Sequence, residues 1–254
     1  MQAVKIAPTN KNVWIIDTAF FMPQLGRYRR VWLYLPEEYG RTRKKYPVLY
    51  MHDGQNLFEE WSSFSGEWGV DETLDALRGK CIVVAVDNGG DKRMSEYSFH
   101  DTEHGNGEGR LYTEFILHTL KPYIDTTYRT LDDRANTYTA GSSMGGLISF
   151  YAAMYYPQYF GGAGIFSPSF WLMPGLRDEI KALASGHSEY PQRYFFYAGG
   201  KEEGNLAGAV SAVAEDLRQY GHYSVELKIS PYGKHTEADW RKQFGRFYRW
   251  LIKR

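Results

Sequence analysis

Residues 137–147 read "TYTAGSSMGGL". Two serines, Ser142 and Ser143, stand between Gly141 and the pair Gly145 and Gly146, directly after an apolar run. From Gly141 to Gly145 the residues fit Gly-x-Ser-x-Gly with Ser143 at the centre. The pattern has a steric origin. A side chain presented at the tip of a sharp strand-to-helix turn needs an unusual backbone conformation, and its neighbours two positions away crowd each other, so only glycine fits. The flanks agree: "ANTYTA" predicts a strand and "MGGLISFYAAMYY" a helix, whose N-terminal dipole favours negative charge developing near Ser143. Ser142 holds a variable position of the pattern and is expected to be inert. A glycine-rich turn with incidental serines is the plainer reading of the motif alone.

The rest of the chain supplies the sheet this turn requires. The runs "YPVLYMHDG" (46–54), "CIVVAVDNGG" (81–90), "GGAGIFSPS" (161–169) and "RYFFYAGG" (193–200) are apolar without alternation. Such runs suit parallel strands covered on both faces. By contrast, "HYSVELKIS" (222–230) alternates: Tyr223, Val225, Leu227 and Ile229 on one face, Ser224, Glu226 and Lys228 on the other. That predicts a strand near an edge. "VWIIDTAFF" and "RYRRVWLYLP" flank "MPQLG", a hairpin signature. Leu206, Val210, Val213 and Leu217 make one helical stripe, and Trp240, Phe244, Phe247 and Leu251 another. Further helices are predicted over 69–78, 110–122, 144–156 and 175–185. Strands alternating with helices predict an α/β fold: a mostly parallel central sheet with an N-terminal antiparallel hairpin and helices on both faces. No repeat or linker divides residues 1–254, so one domain is expected. The longest irregular stretch, 88–110, has the length of a functional or mobile loop.

Composition narrows the function. Lys+Arg and Asp+Glu are equal at 30 each, so no global field draws the chain to nucleic acid or an anionic membrane. Aromatics reach 17%, with 21 Tyr and 7 Trp, which suits either a tyrosine-rich core or a cleft for a flat or sugar-like ligand. Cys81 is the sole cysteine, which excludes an intramolecular disulfide, and its place at the head of a strand makes it a core residue. The N-terminus lacks a signal-peptide layout, and no apolar stretch approaches the ~18–20 residues that span a bilayer. A cytoplasmic protein is the expectation. Oligomeric state leaves no signature.

A serine nucleophile needs a base and an acid, in that architecture following it in the order acid, then base. Only His187, His222 and His235 come after Ser143. His235 lies in "SPYGKHTEADW", between the alternating strand and the last helix, where Thr236 and Asp239 can cap the helix and fix the loop. His187 and His222 read as solvated surface residues. The acid is expected after "RYFFYAGG", where "GGKEEGN" offers Glu202, nearer the strand end, or Glu203. A carboxylate there can accept the imidazole N–H and stabilise the imidazolium. Oxyanion donors are expected from the backbone N–H groups of Met144 and of Gln55 in "MHDGQNLF". Trp68, Trp171 and Phe58 are candidate cleft walls, and Arg93, with Arg110 and Lys201, a local positive patch. "HDTEH" (100–104) resembles a metal cluster, but its glycine-rich surroundings argue against the helix that would bring His100 and His104 to one face. "HGNGEG" lacks the strand and Lys-Ser/Thr pair of a phosphate loop.

Taken together, "HDGQNLF", the "VDNGG" run with Arg93, Glu96 and Tyr97, "AGSSMGGL", "IFSPSFW", "AGGKEEGN" and "GKHTEADW" resemble the esterase D-type branch of the α/β-hydrolases. That branch includes enterochelin esterase-like proteins, feruloyl and acetylxylan esterases, and mycolyltransferases. The resemblance implies Ser143 as nucleophile, His235 as base, and Gln55 and Met144 as oxyanion donors, with no metal or organic cofactor. Many members carry an aspartate as the acid, so Glu202 departs from the pattern by one methylene. The expected activity is hydrolysis of a small-molecule carboxylic ester with an acetyl, aryl or siderophore-type acyl group. Acyl transfer to another alcohol, or binding without catalysis on the same fold, are the alternatives.

Overall fold

The computed structural model describes residues 12–184, 189–221 and 223–253. β1 (Val13–Met22) and β2 (Arg27–Tyr34) form the antiparallel hairpin, closed by Gly26 at φ +63°. β3 (Val48–His52) is followed by α1 (Val70–Ala76), and β4 (Ile82–Val86) by the short α2 (Arg93–Glu96). A continuous helical segment then runs through α3 (Gly109–Phe115), a wide π turn at Ile116–Leu120, and α4 (Lys121–Thr127). β5 (Thr137–Ser142) leads into α5 (Met144–Tyr155), and β6 (Gly162–Phe166) into α6 (Leu176–Ala184). β7 (Arg193–Gly199), α7 (Leu206–Tyr220), β8 (Ser224–Ser230) and α8 (Glu237–Ile252) complete the chain. The sheet has eight strands in the order β1-β2-β4-β3-β5-β6-β7-β8, and β3 to β8 run parallel.

Pleating explains why the central runs do not alternate in the sequence. Successive side chains point to opposite faces, and both faces are covered. Val48, Tyr50, Ile82 and Val84 enter one core, built with α5, α7 and the segment 109–127. Leu49, Met51, Val83 and Ala85 enter the other, built with α1 and α8. The predicted stripes of α7 and α8 are buried there along their whole length. Truncating one such anchor, Phe247→Ala, should cost about 3–5 kcal/mol. β8 lies at the edge, as its alternation predicted, and none of its residues is fully buried.

Two elements differ from the sequence reading. The helix predicted to end at 122 runs on to Thr127. Pro122 has no N–H to donate, and the wide turn just before it lets the helix continue past the missing bond. The stretch 88–110 contains a helical turn because its side chains are anchored: Arg93 to Asp53, and Glu96 to Arg27 and Arg29. Among the described residues no helix is long and apolar enough to cross a membrane. With β3 to β8 parallel, the segments following them gather at one edge of the sheet.

Candidate active site

Ser143 occupies the corner between β5 and α5 with φ +57° and ψ −122°. A backbone of this kind is costly for a residue with a side chain, so its neighbours must hold it. Ser143 N–H donates to Phe166 O at 2.9 Å, and Ser143 O accepts from Leu147 N–H at 3.0 Å and Ser169 N–H at 3.2 Å. The glycine fence follows from contact: a Cβ on Gly141 would stand 2.7 Å from the Gly145 backbone, and one on Gly146 2.9 Å from Phe166 O. Ser143 Oγ meets Ser169 Oγ at 3.3 Å. Ser142 ends β5, buried.

His235 arrives on the loop after β8. Thr236 precedes α8 at its N-cap position, but the expected cap is turned round: the Asp239 carboxylate reaches back to accept from Lys234 N–H at 2.8 Å. This closes the loop on both sides of the imidazole. His235 Nδ1 stands 2.6 Å from Glu202 Oε2. The other oxygen of Glu202 accepts from Gly199 N–H at 2.6 Å and from Ser167 Oγ at 2.7 Å. Ser167, itself at φ +45°, accepts from Trp240 Nε1 at 2.9 Å. A carboxylate with 1% of its side chain exposed is costly unless donors replace water. Three donors meet this one. Glu203 lies exposed in the turn ahead of α7. His187 and His222 lie outside the described residues.

Ser143 and His235 line one cleft of about 870 Å³. The Ser143 hydroxyl points to Ser169 rather than to the imidazole, so no Ser143–His235 hydrogen bond forms in this conformation. Met144 opens α5, where the first N–H groups of a helix have no internal partner. Gln55 sits in a single helical turn, Gly54–Asn56, after β3 and also lines the cleft. Its side-chain Oε1 accepts from Asn88 N–H at 3.1 Å, and its carbonyl from Ser62 Oγ at 2.7 Å, which fixes this peptide from two sides.

Asp53, at φ +56°, precedes that turn, and its carboxylate lies beside the corner: a Cβ on Gly145 would stand 3.0 Å from Asp53 Oδ2. Arg93 Nε and Nη2 donate to its two oxygens at 2.6 and 2.9 Å, and Asn88 Nδ2 donates at 2.7 Å. Beneath it, His52 Nδ1 meets Tyr112 Oη and its Nε2 meets Thr139 Oγ1, each at 3.0 Å. Burial pushes this imidazole down to about 4. It is therefore neutral, with one nitrogen donating and the other accepting. A second wall pair, Arg30 Nε to Asp87 Oδ2 at 2.7 Å, places the Arg30 guanidinium over the rings of Trp32 and Trp61.

The aromatic walls lie elsewhere than expected. Trp68 is 2% exposed and packs behind the cleft against Phe166 and Trp240. Phe58 is buried against Trp32, and Trp171 is 64% exposed, its ring nearly perpendicular to that of His104. None of the three lines the cleft; Trp240 and the 92%-exposed Phe64 do. Arg93 lines it, bound to Asp53, whereas Arg110 stacks on Tyr155 and Phe99. The "HDTEH" histidines separate: His100 Nε2 meets Glu179 at 3.1 Å, and His104 stands by Glu103. Asp53, Ser167 and Glu237, unassigned from the sequence, all belong to this site or its support. Asp53 had a signal, adjoining the glycine of "HDGQNLF".

An eight-stranded, mostly parallel sheet entered through an antiparallel hairpin, with this sharp corner after a central strand, defines an α/β-hydrolase. Within that fold, the family model described as "Putative esterase" matches residues 23–251, and the chain belongs to that family of carboxylesterases. The uncharacterized protein YbbA of Bacillus subtilis is 26% identical, with 88% of this chain and 92% of YbbA covered. An endo-1,4-beta-xylanase/feruloyl esterase of Xylanibacter ruminicola is 24% identical across 94% of this chain, which spans only 31% of that protein. Among solved structures, the BES protein of Bacillus cereus superposes with a TM-score of 0.81 at 16% identity, covering all of both chains.

Proposed function

We propose that this chain hydrolyses carboxylic esters of small molecules or sugars through Ser143, His235 and Glu202. The observation that supports this most directly is the His235 imidazole, held at 2.6 Å by a buried, fully bonded Glu202, opening onto the cleft that Ser143 lines. With Nδ1–H donated to Glu202, Nε2 carries the free lone pair and acts as base. Rotation of the Ser143 hydroxyl away from Ser169 brings its proton to Nε2. Oγ attacks the ester carbonyl, the proton passes to His235, and Glu202 stabilises the imidazolium. The oxyanion rests on the Gln55 and Met144 N–H groups, each such donor worth ~3 kcal/mol in the transition state. The tetrahedral intermediate expels the alcohol, which takes its proton from His235. Water, deprotonated by the same imidazole, then releases the acid and regenerates the Ser143 hydroxyl. Steady-state hydrolysis of an aryl acetate tests the reading: Ser143→Ala should remove turnover, and Ser142→Ala should retain most of it.

A further inference from the structure

Glu237 is the first residue of α8, two positions after His235. It lines the cleft with Ser143 and His235, yet is only 8% exposed. The other charged walls are paired. Arg93 holds Asp53 with two bonds, and Arg30 holds Asp87. Arg93 is near enough to interact with Glu237 electrostatically, but its bonds go to Asp53. Among the described residues, no donor meets the Glu237 carboxylate except its own backbone N–H. Three carboxylates thus face two guanidiniums and an imidazole that must be neutral to act as base. The helix dipole at the start of α8 tolerates this charge but offers it no further partner. Burial holds the carboxyl above its usual range, against the opposing pull of its own backbone N–H, of His235 and of Arg93.

We propose that Glu237 is a specificity residue. It accepts a hydrogen bond from an O–H or N–H of the bound ester, and so favours hydroxyl-bearing or cationic esters over anionic ones. The proposal rests on the reading of Ser143 as nucleophile and extends it to substrate class: an ester of a neutral polyol fits the cleft, and one carrying a carboxylate meets an unpaired negative charge. A donor supplied by the substrate would complete Glu237 as Ser167 and Gly199 complete Glu202.

The test uses acetate esters matched in size whose alcohol carries a hydroxyl, an ammonium or a carboxylate. Compared are kcat/KM values for the wild type, Glu237→Gln and Glu237→Ala, with folding of each checked by circular dichroism. The wild type should rank ammonium and hydroxyl above carboxylate. Glu237→Gln should narrow the ammonium-to-carboxylate ratio by about tenfold, mostly through KM, and Glu237→Ala should move it the same way. A ratio unchanged in both folded variants overturns the role of Glu237. A second arm measures binding of the same esters by calorimetry to Ser143→Ala and to Ser143→Ala/Glu237→Gln. The ratio of affinities should narrow there too, and an unchanged ratio again overturns the role. Hydrolysis that survives in Ser143→Ala sinks the nucleophile assignment instead, while the binding arm still reads Glu237.

Discussion

The Nδ1 of His235 lies 2.6 Å from Glu202 Oε2, and the opposite oxygen of that carboxylate is fixed by Ser167 and Gly199. One carboxylate therefore both orients the imidazole and is itself immobilised. Glu202→Gln keeps the shape but removes the charge that stabilises the imidazolium and can present an amide N–H to Nδ1. We expect kcat to fall by about 10³–10⁴ with little change in KM. Glu203→Gln, in the exposed turn, should stay within about twofold, since surface changes far from such networks have small effects. Equal losses in the two variants would contradict the assignment of the acid.

Ser167 and Trp240 should act as one unit. The indole N–H donates to Ser167, which donates to Glu202. Ser167→Ala and Trp240→Phe are each expected to lower kcat by about fivefold to tenfold, the size of one lost hydrogen bond. The double variant should lose less than the product of the two, because both interrupt the same chain. A multiplicative double mutant would show that the residues act separately.

Gly141 is predicted to tolerate no side chain. A Cβ there would lie 2.7 Å from the Gly145 backbone, which has no flexible end to move aside. Gly141→Ala should cost about 1–3 kcal/mol, read as a lower urea midpoint, and should cut turnover by displacing the Ser143 corner. An unchanged midpoint would mean that the corner is looser than its contacts imply.

His52 links stability to pH. Its buried imidazole has a folded-state value of about 4, below the ordinary 6.5 of an unfolded chain. Below about pH 6.5 the unfolded chain takes up a proton that the folded protein refuses. Stability is therefore complete above that pH, falls as pH drops toward 4, and levels off below it, the whole change being about 3 kcal/mol. His52→Gln should be less stable at pH 7 yet flatter over this window. Urea unfolding at pH 7.0, 5.5 and 4.5 measures both slopes, and parallel slopes would exclude His52 as the source.

The central strands were legible because residues buried on both faces leave a continuous apolar run, as in Ile82–Val86. The hairpin was legible from the proline and glycine of its short connection. The edge position of β8 and the stripe Trp240, Phe244, Phe247 and Leu251 were legible because burial imposes a period. Aromatic walls impose none. Trp68 and Phe64 stand four apart in one loop, yet one is buried and the other almost wholly exposed. Nothing in their spacing says which faces the cleft, since that depends on how the loop folds over Trp240. Ser167 was hidden for a related reason: its role arises where β6 ends beside Glu202, a meeting the linear order does not display. Glu237 was absorbed into the expected start of α8, and only the cleft around it shows that, among the described residues, its carboxylate meets no donor beyond its own backbone N–H.

Covalent labelling reads directly which hydroxyl reacts. Treatment with a fluorophosphonate followed by peptide mass spectrometry should give a single adduct, on Ser143. The adduct should persist in Ser142→Ala, form far more slowly in His235→Gln, and vanish in Ser143→Ala. Labelling that survives Ser143→Ala, or that Ser142→Ala alone abolishes, would contradict Ser143 as the nucleophile.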